Sequence, residues 1–155
     1  MVRQKSIFNA IVLVFVCSLV LLACEKTTFN TKPTLTFLSV RSNDLVQGNL
    51  LDIRLRVLDK EGDISDTLYI RAGTRRCPNN TVNLFYKVPD VPQKSDLNAE
   101  IAIRFLIGVI GEYPVYNLNL CPGVDTVNFQ FWIKDIKGNI SDTIGTSEPI
   151  LIRNS

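Results

Sequence analysis

Val127-Asn128-Phe129-Gln130-Phe131-Trp132-Ile133-Lys134-Asp135-Ile136-Lys137-Gly138-Asn139-Ile140-Ser141-Asp142-Thr143 carries a strand, a turn and the start of the next extended segment. Val127, Phe129, Phe131 and Ile133 alternate with Asn128, Gln130, Trp132 and Lys134. Successive side chains of an extended chain point to opposite faces, so a period of two predicts a strand with one face buried and one in water. The pattern stops at Asp135. There an aspartate can cap backbone amides, Gly138 can take positive φ, and Asn139 tolerates the tight exit.

The same grammar occurs once more upstream. Val57-Leu58-Asp59-Lys60-Glu61-Gly62-Asp63-Ile64-Ser65-Asp66-Thr67 matches residues 133–143 position by position, 76 residues apart. That period is too long for a solenoid unit. It predicts two similar hairpins in one domain, the second closing it.

Working outward, Leu51, Ile53, Leu55 and Val57 alternate with Asp52, Arg54 and Arg56. Ile101, Ile103, Phe105 and Ile107 form a third apolar face, with Glu100 and Arg104 opposite. Further strands are expected at 34–40, 64–72, 82–88 and 150–153, separated by Gly, Pro and Asn turns. Residues 97–110 are the one stretch that could be helical, and their β-branched content and alternation favour a strand. Seven short strands over some 120 residues predict an all-β, antiparallel two-sheet sandwich across residues 34–155. In that frame Trp132 points away from the core, either under a loop or in an exposed contact patch.

The amino-terminal segment is of a different kind. Arg3 and Lys5 precede an apolar run over 7–23, broken only by Asn9 and Ser18. As a helix it would be about 26 Å long, short for a bilayer span and suited to a cleavable signal. Leu21-Leu22-Ala23-Cys24 resembles the lipobox of bacterial lipoproteins. The resemblance implies cleavage after residue 23, and a diacylglyceryl thioether with further acylation, palmitate-type, on Cys24. Several acyl chains, each methylene worth ~0.8 kcal/mol on burial, would hold a small domain at a membrane. Residues 24–33 hold the lipidated cysteine and a Thr-rich tether ending at Pro33, of which the eight residues 25–32 reach at most roughly 28 Å when extended.

Loss of Arg3 and Lys5 with the signal leaves 15 basic against 15 acidic residues. A neutral domain gives no electrostatic case for nucleic acid. Of four cysteines, Cys17 leaves with the signal and Cys24 takes lipid, which leaves Cys77 and Cys121. In an oxidising compartment that pair reads most simply as a disulfide, closing 43 intervening residues for roughly 3–4 kcal/mol. A zinc site is the rival, and two cysteines with no histidine in the sequence do not complete a zinc shell.

Lipobox, Thr-rich tether, alternating strands and the D-x-x-G-N-x-S run at 135–141 together resemble the Ig-like lipoproteins common in Bacteroidota. Those are similar in architecture to fibronectin type III and cadherin-like modules. The resemblance implies an immunoglobulin-like fold and no particular activity.

Histidine-dependent nucleophilic triads are excluded by composition. No catalytic residue or cofactor is assigned, and no metal is expected. Asp59, Asp63 and Asp66 form a weak calcium candidate, against which Lys137 occupies the position of Glu61 in the second copy. The expected recognition surface lies where a Cys77–Cys121 bridge would bring Arg75 and Arg76 beside Tyr113 and Tyr116, with Trp132 as a second contact point. Arginine and tyrosine concentrate binding energy. Asp66-Thr67-Leu68, Asp125-Thr126-Val127 and Asp142-Thr143-Ile144 resemble the D-[ST]-aliphatic O-glycosylation acceptor of Bacteroidota, which marks Thr67, Thr126 and Thr143.

The expected function is a non-enzymatic, membrane-anchored module for binding or envelope assembly, with a protein or glycan ligand. Its place is the cell envelope, at the outer membrane, with either face open. A calcium-dependent adhesion-like module and a hydrolase are the alternatives.

Overall fold

The computed structural model describes residues 31–64, 66–79, 81–90, 95–109, 111–116 and 123–153, with only the backbone described at 115 and 116. The expected signal segment 1–23, Cys24 and Cys121 lie outside the described residues.

The alternation read at 51–57 and 127–133 becomes burial in the structure. The strands run β1 Thr34–Val40, β2 Asp44–Val46, β3 Leu50–Asp59, β4 Thr67–Thr74, β5 Thr81–Lys87, β6 Leu97–Ile107, β7 Val115–Tyr116, β8 Val124–Lys134, β9 Ile144–Gly145 and β10 Ile150–Arg153. Leu51, Ile53, Leu55 and Val57 of β3 meet Val127, Phe129, Phe131 and Ile133 of β8 in one core, none more than 1% exposed. Stretch 97–110 is a strand to Ile107, ended where Gly108 takes φ +65°. There is no helix among the described residues.

The strands form two sheets, β1-β3-β6-β7 and β2-β10-β8-β4-β5, with β9 paired to β8. The chain crosses between sheets from β3 to β4, from β5 to β6 and from the β6 side back to β8. This is the Greek-key crossing pattern of an immunoglobulin-like sandwich. The long pairs are antiparallel, as expected, and two short ones are parallel: β2 with β10 and β7 with β6. The first follows from chain direction. After β1 the chain steps to the other sheet without reversing, so Asp44–Val46 runs alongside β10 rather than against it.

The repeated motif gives two different connections, which corrects the expectation of two hairpins. Gly62 and Gly138 both take positive φ, at +68° and +92°. Asp59 Oδ2 accepts the Asp63 N–H at 2.8 Å, and Asp135 Oδ1 accepts the Asn139 N–H at 2.7 Å. Beyond that the copies part. In the first copy the chain passes as an arch from β3 in one sheet to β4 in the other, and Ile64 plugs the end of the core at 1% exposure. Residues 135–142 turn back within one sheet, through a Lys134–Ile140 bridge, and Ile140 stays 52% exposed. Burial of the isoleucine, not turn chemistry, separates arch from hairpin. The two turns then dock, with the Ile136 N–H on the Asp63 carbonyl at 2.9 Å.

Thr31 and Lys32, at the start of the described chain, lie at this same end of the sandwich. Thr31 donates through its N–H and its hydroxyl to the Glu61 carboxylate, at 3.0 and 2.5 Å. The β4–β5 turn and the start of β8 lie at the opposite end, some 30 Å away along strands of ~3.4 Å per residue.

Candidate functional site

The solvent face of the β2-β10-β8-β4-β5 sheet carries an aromatic row that strand registers build. Tyr69 of β4 sits opposite Trp132 of β8 on one side and opposite Phe85 of β5 on the other. Tyr69 and Trp132 stack, with ring centroids 5.4 Å apart and planes 2° apart. Both are half-buried, whereas Phe85 is 75% exposed. So Trp132 is not isolated. It is one wall of a cross-strand pair.

Polar rows flank the aromatics. Asn83, Arg71 and Gln130 are in register on one side, all exposed. Lys87, Thr67 and Lys134 are in register on the other, with Lys134 3.4 Å from Asp66 and Lys87 3.2 Å from Asp90. Arg71 has no ion pair among the described residues. A flat aromatic strip edged by amide and guanidinium donors suits a ligand with apolar faces and hydroxyl or carbonyl rims.

The other sheet's solvent face is different. Asp52, 7% exposed, accepts Arg54 Nε at 2.8 Å and Arg104 Nε at 3.0 Å, and Arg54 Nη1 reaches Glu100 at 2.9 Å. These charges satisfy one another. Burial works to raise the Asp52 carboxyl, but hydrogen bonds from Arg54 and Arg104 overcome it and hold it below its ordinary value.

Arg75 and Arg76 sit exposed at the end of β4, far from Trp132 along the strands. Arg76 already has protein partners: its N–H reaches Asp125 Oδ1 at 3.3 Å and its Nη1 the Val124 carbonyl at 3.1 Å. It clamps the start of β8. Tyr113 is half-buried in the segment after β6, at the same end of the sandwich. The side chain of Tyr116 and the whole of Cys121 lie outside the described residues, so the expected Cys77–Cys121 junction does too.

The acidic turn brings two of its three calcium candidates together. Asp59 and Asp63 are buried side by side, while Asp66 turns away to Thr67 Oγ1 and Lys134. Among the described residues no group of three or more metal-type ligands gathers anywhere. Of the three candidate acceptor threonines, Thr143 is exposed, as is the neighbouring Asp142. Thr67 is half-buried and donates to Asp66, and Thr126 is half-buried within β8.

An apolar cleft of about 210 Å3 opens at the flank between β5, the edge of one sheet, and β6 of the other. Leu68, Ile70, Val88, Ile103 and Phe105 line it, with Tyr86 tilted on Phe105 at 5.7 Å. Burial there pushes the Tyr86 hydroxyl up from its ordinary value.

Sequence alone could have signalled Tyr69 and Phe85, since both occupy the outward parity of their strands. What it could not show was which strands lie side by side. No known family profile matches the chain, and no curated protein matches it.

Proposed function

We propose that the chain is a lipid-anchored, non-enzymatic binding module of the bacterial cell envelope, whose recognition surface is the row Phe85, Tyr69 and Trp132. The observation that carries the binding reading is that row: three aromatic side chains in cross-strand register on a solvent face, one of them 75% exposed. Solvent faces of sheets are ordinarily polar, and an ordered aromatic strip is a surface for a partner. The ligand class that fits is a glycan, whose apolar ring faces lie on aromatic side chains and whose hydroxyls meet Arg71, Gln130 and Asn83.

The anchor rests on Leu21-Leu22-Ala23-Cys24 and the charged, apolar segment before it. Thr31 at the twin-turn end supports a definite orientation: the twin turns face the membrane, and the Arg75–Arg76 end faces away. The Cys77–Cys121 disulfide belongs to the same reading, tying the distal loops. So does O-glycosylation, for which Thr143 is the most accessible acceptor.

Two measurements test this. Metabolic labelling with a palmitate analogue should mark the wild type and not Cys24→Ala; equal labelling would refute the anchor. Affinity electrophoresis through gels containing envelope polysaccharide should retard the wild type and not Trp132→Ala or Phe85→Ala. Identical mobility of all three removes the aromatic row as the site.

A further inference from the structure

The twin turns differ at one decisive atom. In the second, Asn139 donates its side-chain amide to Asp135 Oδ2 at 2.6 Å as well as its backbone N–H to Oδ1. The matching residue in the first turn is Asp63, which has no amide to give. Asp59 and Asp63 are 4% and 6% exposed, and Oδ1 of each has no hydrogen-bond partner among the described residues. Two buried carboxylate oxygens left bare side by side would each forfeit solvation and repel the other.

A single proton removes both deficits. Asp63 Oδ2 already faces a cation, lying 3.3 Å from Lys137 Nζ. Asp59 Oδ2 is already occupied by the Asp63 N–H, so the proton falls on Asp59 Oδ1. We infer that Asp59 and Asp63 share one proton, as an Asp59 Oδ1–H···Oδ1 Asp63 hydrogen bond, and that this proton latches the arch that holds the tether. Glu61, to which Thr31 is tied, lies between the two aspartates in sequence.

The surroundings favour a proton over a metal. Calcium wants six to eight oxygens, and the nearby acid Glu61 is bound to Thr31. The other charged groups around the pair are Lys60 on the same turn, Lys137 and Asp135 from the twin turn, and Lys32 and Asp96 beside Asp59. Burial first, and then the neighbouring charge of Asp63, raise the Asp59 carboxyl above its ordinary value. A group whose folded pKa is raised stabilises fully below its unfolded value, and that contribution is lost as pH rises through the folded one. The arch is therefore tightest in mild acid and loosens as the pH rises.

The full chain in detergent, melted across pH, tests the latch. Asp63→Asn copies the second turn. Its melting temperature should gain on the wild type by roughly 3 °C or more between about pH 4.5 and pH 8. Asn139→Asp should do the reverse, giving the second turn a new loss of stability at high pH. Carboxyl carbon NMR should show Asp59 titrating above the free-aspartate range in the wild type. Parallel melting curves for wild type and Asp63→Asn, or an ordinary Asp59 titration, would overturn the proposal. So would a calcium-induced rise in the melting temperature of the wild type that Asp63→Asn lacks, because that would put a cation where the proton is inferred.

Discussion

Tyr69 and Trp132 lie ring to ring across the β4–β8 ladder, 2° from parallel, on the face of the sheet that water reaches. Each ring shields one side of the other, which is why neither is fully exposed. Phe85, next in the row, is far more open. The row therefore splits into a structural pair and a free contact.

That split makes stability and binding separable. Trp132→Ala removes a stacked partner and part of a half-buried surface, and should cost about 1–2 kcal/mol in urea unfolding. Phe85→Ala removes a ring that water already surrounds and should change stability by less than about 0.5 kcal/mol. If both variants lose glycan retention while only Trp132→Ala loses stability, the face is a binding surface. An equal stability cost in the two would mean that Phe85 is packed in solution.

Asp52 offers a pH prediction of opposite sign to that of the acid pair. Its folded pKa is lowered from 3.8, so its stabilising contribution is present above that value and lost as pH falls through the folded one. Asp52→Asn should cost roughly 1–3 kcal/mol near neutral pH, the range for hydrogen bonds to charged groups, since one of Arg54 and Arg104 loses its acceptor oxygen and the other keeps only a neutral one. The gap between variant and wild type should close as the pH drops below 3.8. A gap independent of pH would show that packing, not charge, sets the cost.

Strand identity was legible because a half-buried strand must alternate, and residues 34–40 and 150–153 were bounded to the residue. β2, β7 and β9 were not, since two or three residues cannot display a period. Outward faces could be read from parity, which placed Trp132 correctly. The lateral order of strands could not, so Tyr69 and Phe85 went unnoticed beside it. Arg75 and Arg76 were grouped with the tyrosine segment through the expected Cys77–Cys121 link, and the contacts of Arg76 with Val124 and Asp125 could not be read from the sequence. The acid pair was half legible: the run D-x-E-G-D was plain, but its burial was not.

The disulfide reading carries a direct chemical consequence. If Cys77 and Cys121 are joined, the intact mass of the purified chain should be lighter by two hydrogens than after reduction. Reduction should also lower stability by roughly 3–4 kcal/mol, the entropy of a loop of this length. Neither change on reduction would leave both cysteines as thiols and free the distal loops from each other.

The sharpest test of the fold uses the two isoleucines that the repeat makes equivalent in sequence. Ile64 closes the core beneath the arch at 1% exposure, and Ile140 stands in water at 52% beside the hairpin. Ile64→Ala creates a cavity and should cost about 2–5 kcal/mol, the range for truncating a buried aliphatic side chain. Ile140→Ala removes a side chain that is already half in solvent and should stay within about 0.5 kcal/mol. The loss at Ile64 should also release the Asp66 N–H from the Ile64 carbonyl, a 2.7 Å bond, and so speed amide exchange at Asp66. Exchange at Ser141, whose N–H bonds the Ile133 carbonyl at 2.9 Å, should not change. Were the two substitutions to cost the same, both copies of the motif would be hairpins after all, and the crossing from β3 to β4 would have to be redrawn.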